Sequence, residues 1–252
     1  MRRARPLRVG LIGFGAFGRF AASHLRAHVD LVACDRIDRS ADADALGVGW
    51  ASLEEAAGQP VVVLAIPVQS YDDALPVLAA AVAPDALVID TASVKVEPLR
   101  RLAQALPAGV EVIGTHPMFG PQSGRSGIRG LKVVLCAEAT PRSRWLRRFL
   151  SRRLGLEVLE RTAEQHDREL AHIQGLTHLM AKALRGLELP DPELATVAYQ
   201  HMLQIEQNLR EDSDALFLTI QRHNPFVRDA RQALRRRLDE LEEWIERDED
   251  PS

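Results

Sequence analysis

Two short segments of this 252-residue sequence carry side chains that can move a proton or hold an anion. In residues 114–121, His116 lies among two glycines and two prolines, which predicts a rigid, non-helical loop. Imidazole titrates near pH 7, so His116 is a candidate general base. In residues 90–95, Ser93 supplies a hydroxyl and Lys95 a cation. Both segments follow apolar runs of strand length, and ligands of parallel sheets bind beyond the carboxyl ends of the strands.

A third segment has the residue types that bind the phosphates of a dinucleotide. Its glycines are spaced G-x-G-x-x-G, directly after the apolar run 7–12 and at the start of a helical pattern over 16–27. This spacing permits a tight turn, close approach of a pyrophosphate to the backbone, and close packing of helix on strand. The alternative is a bare structural turn. The residues predicted to contact the cofactor are Gly13, Phe14, Gly15, Ala16, Phe17 and Gly18.

The end of the next apolar run indicates which dinucleotide binds. Asp35 stands 20 positions after the second glycine of the turn, where a carboxylate accepts hydrogen bonds from both ribose hydroxyls of NAD. It would repel the 2′-phosphate of NADP, so NAD is predicted. Arg36 and Arg39 keep NADP open, because an arginine there can hold that phosphate. Ile66 and Pro67 end a further strand and are predicted to form an apolar wall beside the nicotinamide.

The elements that position these segments alternate along residues 1–162. Apolar runs separated by helical patterns predict an α/β fold with a doubly wound, Rossmann-type parallel sheet that is covered on both faces. Residues 163–252 show helical periodicity alone. We therefore predict a dinucleotide-binding domain over 1–162 and an all-helical substrate and dimerisation domain over 163–252. The predicted strands are 7–12, 31–34, 61–66, 87–90, 110–113, 131–136 and 156–160, and the predicted helices of the first domain include 16–27, 71–81, 97–105 and 141–153.

Composition excludes several classes of protein. The chain has 32 basic and 35 acidic side chains, for a net charge of −3, which argues against a general nucleic-acid binder. No apolar run approaches the roughly 20 residues that span a bilayer, and the glycine turn interrupts the only stretch that resembles a signal peptide. Cys34 and Cys136 lie in apolar segments and are predicted to be buried, reduced thiols. We expect a cytoplasmic protein that binds neither membrane nor metal.

The motifs around His116 closely resemble those of the prephenate/arogenate dehydrogenases of tyrosine biosynthesis. The loop 114–124, Gly-Thr-His-Pro-Met-Phe-Gly-Pro-Gln-Ser-Gly, resembles that family's signature loop. Ser-Val-Lys at 93–95 resembles its second signature, and Glu-Gln-His-Asp at 164–167, followed by His178, resembles its third. The resemblance runs from about Arg8 to Arg231. It implies an NAD-dependent oxidative decarboxylation of prephenate to 4-hydroxyphenylpyruvate or of arogenate to tyrosine.

The resemblance also implies a role for each matching residue. His116 would remove the hydroxyl proton while the cofactor takes a hydride from the ring carbon, and loss of CO2 would make the ring aromatic. Ser93 would hydrogen-bond the reacting hydroxyl or His116, and His178 would bind the side-chain carboxylate of the substrate. Gln174 is four residues from His178 and is predicted to share its helix face. The further predicted substrate-binding residues are Thr115, Lys95, His166 and Arg210, the last near the position of an anchoring arginine in many members.

The helical domain is predicted to form a homodimer, because it carries more apolar surface than a small bundle can bury. The family resemblance implies the same, and the active site is expected between the sheet and the helices. Prephenate and arogenate stay open as substrates. Two other functions also stay open: another two-domain dehydrogenase or imine reductase, for which Lys182 is the available helical lysine, and a non-catalytic NAD(H) sensor.

Overall fold

The computed structural model describes residues 6–187, 189–190 and 193–247. The chain divides into two compact units, Met1–His166 and Asp167–Ser252. The predicted boundary, after residue 162, lies four residues before this division.

The first unit is built on an eight-stranded sheet, as the apolar runs predict. The strand order is β3-β2-β1-β4-β5-β6-β7-β8. From β1 the strands are added toward one edge as far as β3 and then toward the other edge from β4 onward, so the order reverses between β1 and β4. This is the order of a dinucleotide-binding fold, in which ligands bind at that reversal. The strands are β1 (Arg8–Ile12), β2 (Asp30–Cys34), β3 (Gly49–Trp50), β4 (Val61–Leu64), β5 (Leu87–Asp90), β6 (Glu111–Pro117), β7 (Lys132–Cys136) and β8 (Glu157–Glu160).

The predicted architecture is confirmed, with one exception to the parallel pairing. β6 and β7 run antiparallel, with His116 opposite Val134 and Pro117 opposite Val133. This pairing extends β6 through Pro117, four residues beyond the predicted end of the strand. The prediction of a loop around His116 is therefore wrong over residues 114–117. Pro117 is compatible with the strand because it occupies the last position, where a missing N–H costs little.

Alternate residues along each strand pack into two separate cores, one on each face of the sheet. In β4, Val61 and Val63 join one cluster, while Val62 and Leu64 join the other. In a parallel sheet with both faces covered, every strand position is buried, which explains the uninterrupted apolar runs of the sequence.

Six complete α-helices accompany the sheet over the described residues of the first unit. The third helix begins with a capping box formed by Ser52 and Glu55. The sequence pattern missed the second helix, whose composition of alanine, serine and aspartate gives no apolar stripe, and β3, which is two residues long. The predicted helix 141–153 changes to a π-helical turn over Phe149–Arg153. The helices are α1 (Ala16–Leu25), α2 (Ser40–Leu46), α3 (Leu53–Ala57), α4 (Tyr71–Ala81), α5 (Val96–Ala105) and α6 (Pro141–Arg148).

The regular elements of the second unit are all helices over its described residues. Between its first two helices lies a π-helical turn, Ala171–Leu176, which packs on the last helix. Gly175 permits this approach, because a Cβ there would meet a methyl group of Val227 at 2.8 Å. The helices are α7 (Ala163–Leu170), which spans the unit boundary, α8 (Thr177–Arg185), α9 (Val197–Asn208), α10 (Asp214–His223) and α11 (Val227–Glu246).

Two expectations from composition concern the thiols and membranes. Cys34 and Cys136 are both buried and reduced, as predicted, and burial together with the Asp35 carboxylate raises the pKa of Cys34 to about 12. Over the described ranges, no helix combines the length and the apolar character needed to cross a bilayer.

Candidate active site

The predicted glycine turn joins β1 to α1 where the strand order reverses. Gly13 has φ +101°, in the left-handed region that favours glycine, and a Cβ there would meet the carbonyl oxygen of Ala65 at 2.4 Å. A Cβ at Gly18 would lie 2.0 Å from the carbonyl oxygen of Gly13, so the helix packs on the strand with no space for a side chain. Around Gly15 the space is open, with no described atom within 4 Å of a Cβ.

The first turn of α1 presents backbone N–H groups beside this turn. Gly15 is the N-cap, and within the described chain no side chain caps the helix. The first N–H groups of a helix have no intrahelical acceptors and carry a partial positive charge, which favours phosphate. Of the remaining turn residues, Phe14 is buried, Phe17 is half-buried and Ala16 is exposed. The residues of this turn fit the pyrophosphate of a dinucleotide.

Asp35 lies beside the turn, immediately after β2. Its Oδ2 accepts a hydrogen bond from the backbone N–H of Phe14 at 2.6 Å, and its Oδ1 accepts one from the N–H of Ile37 at 3.1 Å. The carboxylate is half-buried and held in place by both bonds. It is thus fixed at the position that the sequence assigns to ribose recognition.

The two arginines that keep NADP open differ in their surroundings. Arg36 is 80% exposed and lies 3.9 Å from Asp73. Arg39 lies 3.8 Å from Asp42, and among the described residues its buried Nε has no hydrogen-bond partner. Arg36 is therefore the more accessible of the two guanidinium groups, since the side chain of Arg39 is 30% exposed.

Three neighbouring strands, β4, β5 and β6, end at the same edge of the sheet. The register pairs Leu64 with Asp90 and Asp90 with Gly114, so the segments after β4 and β5 leave the sheet side by side while β6 continues to Pro117. After β4, Ile66 is half-buried and Pro67 is exposed in an extended conformation. These positions agree with an apolar wall at the cofactor side of the site, which stays a prediction.

His116 is the most buried of the candidate catalytic groups and is paired with a second imidazole. It is 3% exposed, and its Nδ1 lies 2.8 Å from Nε2 of His166, which is completely buried. The two ring planes meet at 68°. At this distance one nitrogen donates to the other, so the hydrogen bond fixes the orientation of both rings.

The sequence did not predict this pairing, because fifty residues separate the two histidines. A local signal does place His166, since Thr162 caps the first turn of α7. Thr162 Oγ1 accepts from the N–H of Gln165 at 3.1 Å, and the side chain of Gln165 accepts from the N–H of Thr162 at 3.0 Å. His166 is therefore held in the first turn of α7.

The segment after β5 contains one accessible candidate and one buried one. Ser93 is half-buried, whereas Lys95 is completely buried and forms an ion pair with Asp90. Lys95 Nζ also donates to the backbone carbonyl of Thr115 at 2.7 Å. The hydroxyl of Thr115 donates to the carbonyl of Asp90 at 2.9 Å. Lys95 and Thr115 are thus both buried, and the binding of substrate by either residue stays a prediction.

In the second unit, His178 is buried next to a carboxylate. Its side chain is 8% exposed, and Nδ1 lies 3.8 Å from Oδ2 of Asp212. Burial lowers the pKa of His178 and Asp212 acts in the opposite direction, while burial raises the pKa of Asp212. Among the described residues, the buried Oε1 of Gln174 has no hydrogen-bond partner. Gln174 lies in the π-helical turn. The prediction that Gln174 and His178 share a helix face assumed α-helical spacing, which does not hold over this turn.

Arg210, the predicted anchoring arginine, is bound to a glutamate of its own helix region. Its Nε and Nη2 donate to the two oxygens of Glu206, at 3.2 and 2.7 Å. Arg185 donates to the same carboxylate at 3.0 Å. These hydrogen bonds lower the pKa of Glu206 and raise that of Arg210. This network could not be predicted from the sequence, because a glutamate four residues before an arginine is most often an exposed partner on the helix surface.

Comparison with known proteins assigns the chain to a family. The family model described as "Prephenate dehydrogenase, nucleotide-binding domain" matches residues 21–152, which is just over half of the chain. The chain belongs to the prephenate dehydrogenase family. A second model, described as "TYRAAT1-like, C-terminal domain", matches residues 183–251. The segments around Ser93 and His116 lie within the prephenate dehydrogenase match.

Individual relatives agree with this family. The chain is 30% identical over 232 residues to arogenate dehydrogenase 1, chloroplastic, of Arabidopsis thaliana, covering 87% of this chain and 36% of that protein. It is 34% identical over 205 residues to 4-amino-4-deoxyprephenate dehydrogenase of Streptomyces pristinaespiralis, covering 76% of this chain and 66% of that one. The chain thus spans about a third of the plant protein.

A solved structure supports the fold. The crystal structure of prephenate dehydrogenase from A. aeolicus, in complex with hydroxyphenyl propionate and NAD+, has a TM-score of 0.76 at 21% sequence identity. The match covers 97% of this chain and 92% of that chain.

Proposed function

We propose that this protein is an NAD-dependent dehydrogenase that oxidatively decarboxylates prephenate or arogenate, with formation of 4-hydroxyphenylpyruvate or tyrosine. The observation that carries the proposal is the buried imidazole of His116 at the end of β6, held 2.8 Å from His166. The segment with Ser93 leaves the adjacent strand at the same edge of the sheet. A base and a hydroxyl beside a dinucleotide-binding turn form the minimum set for oxidation of an alcohol.

The cofactor is proposed to be NAD. Its pyrophosphate would lie on the turn Gly13–Gly18 and its adenine ribose near Asp35, whose carboxylate disfavours a 2′-phosphate. When bound, the nicotinamide would supply the hydride acceptor. Arg36 and Arg39 are the residues that would favour NADP instead, because a guanidinium there can hold a 2′-phosphate.

His116 is assigned the proton transfer. Its Nδ1 is engaged with His166, so we assign Nε2 as the nitrogen that accepts the proton of the substrate hydroxyl. With the hydrogen on Nδ1, His166 would act as the acceptor and would hold His116 in the tautomer that has a basic Nε2. The positive charge that develops on His116 would be shared across this hydrogen bond. Ser93 would hydrogen-bond the same hydroxyl and orient it.

Release of CO2 needs little help from the protein. Oxidation at the ring carbon leaves a carboxylate opposite a carbonyl carbon, and its loss makes the ring aromatic. His178 and Gln174 are proposed to bind the side chain of the substrate, the first through its imidazole and the second through its amide. The binding of substrate by Arg210 stays a prediction, because two donor atoms of this arginine are bound to Glu206.

The protein is further proposed to be a cytoplasmic homodimer. Large apolar side chains of the second unit are exposed, which is typical of a surface that a partner covers. On α11, Leu238 is 54%, Trp244 64% and Ile245 71% exposed, and on α9 Val197 is 68% exposed. A second copy of the chain is the proposed partner.

The test is an assay of reduced cofactor formation by the full chain with prephenate and with arogenate, each with NAD+ and with NADP+. The proposal predicts absorbance at 340 nm with at least one substrate and faster turnover with NAD+ than with NADP+. The H116N variant is the matched control and should be nearly inactive. Absence of reduction by the wild-type chain with both substrates and both cofactors would refute the proposal.

A further inference from the structure

A buried polar network lies beneath the sheet edge that carries the proposed active site. Asp90 and Lys95 are completely buried and Tyr71 is 1% exposed. The hydroxyl of Tyr71 donates to Oδ1 of Asp90 at 2.5 Å, and Lys95 Nζ is bound to Oδ2 of the same carboxylate. Both oxygens of Asp90 are thus engaged within the core. A charged pair in the interior is uncommon and costly unless its hydrogen bonds are satisfied.

The ion pair closes the segment that contains Ser93. Asp90 is the last residue of β5 and Lys95 precedes α5, so their side chains join the two ends of the connection. The backbone N–H of Ala92 also donates to Oδ1 of Asp90, at 3.2 Å. Ser93 lies at the middle of this closed connection and has little freedom to move away from the strand end.

The same lysine contacts the strand that carries His116. A Cβ on Gly114 would lie 3.0 Å from Cδ of Lys95, so the aliphatic stem of the lysine passes directly under β6. Its Nζ then reaches the carbonyl of Thr115 at 2.7 Å. That carbonyl belongs to the peptide bond that joins Thr115 to His116. Lys95 therefore links the Ser93 connection to the backbone of His116.

A third segment is connected through Tyr71. The guanidinium of Arg101 lies 5.5 Å from the centre of the Tyr71 ring, and its Nη1 donates to the carbonyl of Val68 at 3.1 Å. Val68 begins the turn that follows Pro67. The network thus touches the segments that follow β4 and β5 and the last residues of β6.

We infer that Lys95 and Asp90 are positioning residues that fix Ser93 relative to His116, and that Lys95 does not bind the substrate. This inference rests on the proposed function. A buried salt bridge resists displacement when both of its charged groups also have further hydrogen bonds in the low-dielectric interior. A misplacement of about 1 Å at a reacting group can lower the rate on the order of 10²-fold. The role differs from the substrate contact that the sequence predicts for Lys95.

The test compares K95M, D90N and the double variant D90N/K95M. Each single change leaves a buried charge without its partner, so kcat should fall about 10- to 100-fold while the substrate KM stays within about twofold. The double variant removes both charges and should have a kcat at least about threefold above that of K95M. K132M, which removes an exposed lysine, is the matched control and should resemble the wild type.

Other kinetic results would overturn the inference. A tenfold rise in substrate KM at unchanged kcat in K95M would identify Lys95 as a substrate ligand. Unchanged kcat in both single variants would show that the network has no positioning role. If K95M does not fold, Y71F serves instead: it keeps the ring and removes the bond to Asp90, and should lower kcat about 2- to 5-fold at constant KM. Unchanged kcat in Y71F would then overturn the inference.

A second readout separates this inference from the proposed function. The imidazole 15N–1H signal of the hydrogen bond between His116 and His166 can be recorded in the folded chain without substrate. It should shift in D90N and stay unchanged in K132M, even if the wild-type chain reduces no cofactor. An unchanged signal in D90N would refute the positioning role, whatever the outcome of the activity assay.

Discussion

His116 in the first unit and the candidate cations of the helical unit are held in different ways. At the sheet edge, His116 is 3% exposed and lies on a paired strand, so the backbone fixes its position before any substrate arrives. In the helical unit, the side chain of Arg210 is 64% exposed and that of Lys182 is 43% exposed, and both are bound to carboxylates of neighbouring helical residues. Burial in a hydrogen-bonded sheet fixes a reacting group, whereas an exposed ion pair exchanges partners readily.

The largest effect should follow from removal of the sheet-edge imidazole. H116N keeps a side chain of similar size without a base, and kcat should fall about 10²- to 10⁴-fold in the reduced-cofactor assay. The Kd of NAD should change little, because the glycine turn belongs to different strand and helix ends. H172N replaces an exposed histidine and is the matched control. Full activity of H116N would remove this residue from the mechanism.

Cofactor preference should respond to Asp35 with an intermediate effect. D35S should raise the Kd of NAD on the order of tenfold and that of NADP less, since it removes the ribose acceptor and the charge that repels a 2′-phosphate. D35N separates the two contributions, because it keeps an oxygen for the Phe14 N–H and removes only the charge. The assignment of NAD would fail if the ratio of the two Kd values were unchanged in D35S.

A smaller effect is expected in the helical unit, at Arg210. Because two of its donor atoms are bound to Glu206, R210Q should raise the substrate KM at most about threefold. R185Q removes the other donor to this carboxylate and should change the substrate KM by a similar amount if both arginines act by binding Glu206. A tenfold rise in KM for R210Q alone would make Arg210 the anchor of the substrate carboxylate and would contradict the contrast between the units.

The smallest effect is a pH dependence of stability at His178. Burial lowers the pKa of His178 in the folded state, so the unfolded chain binds the proton more readily. Stability from the neutral, buried imidazole is therefore present above the ordinary imidazole pKa and is lost as pH falls below it. H178Q should show a smaller decrease in Tm than the wild type between about pH 7 and pH 5.5. An equal decrease in both would show that His178 is not the group responsible.

Much of the sheet could be predicted from the sequence, because both of its faces are buried. Val62 and Val63 point into opposite cores, and such strands read as continuous apolar runs. The turn at Gly13 could also be predicted from the sequence, because glycine is the residue that fits a positive φ and a close contact with the neighbouring strand. Local rules of this kind need no knowledge of distant residues.

The features that could not be predicted depend on distant partners. Glycine and proline disfavour strands, yet the segment at His116 is a strand because β7 pairs with it. Lysine is rarely buried, and the burial of Lys95 depends on Asp90 together with the Thr115 carbonyl. The contact of His116 with His166 joins residues fifty positions apart, and no local pattern in the sequence indicates it.

The most direct test of the central claim, that His116 is the base, is the pH dependence of kcat/KM for the wild type and for H116N. In the wild type the rate should rise with pH along an acid limb, as the imidazole loses its proton and becomes able to accept one from the substrate. In H116N the residual rate should lack that limb. A limb of the same midpoint in both proteins would show that another group is the base and would contradict this account.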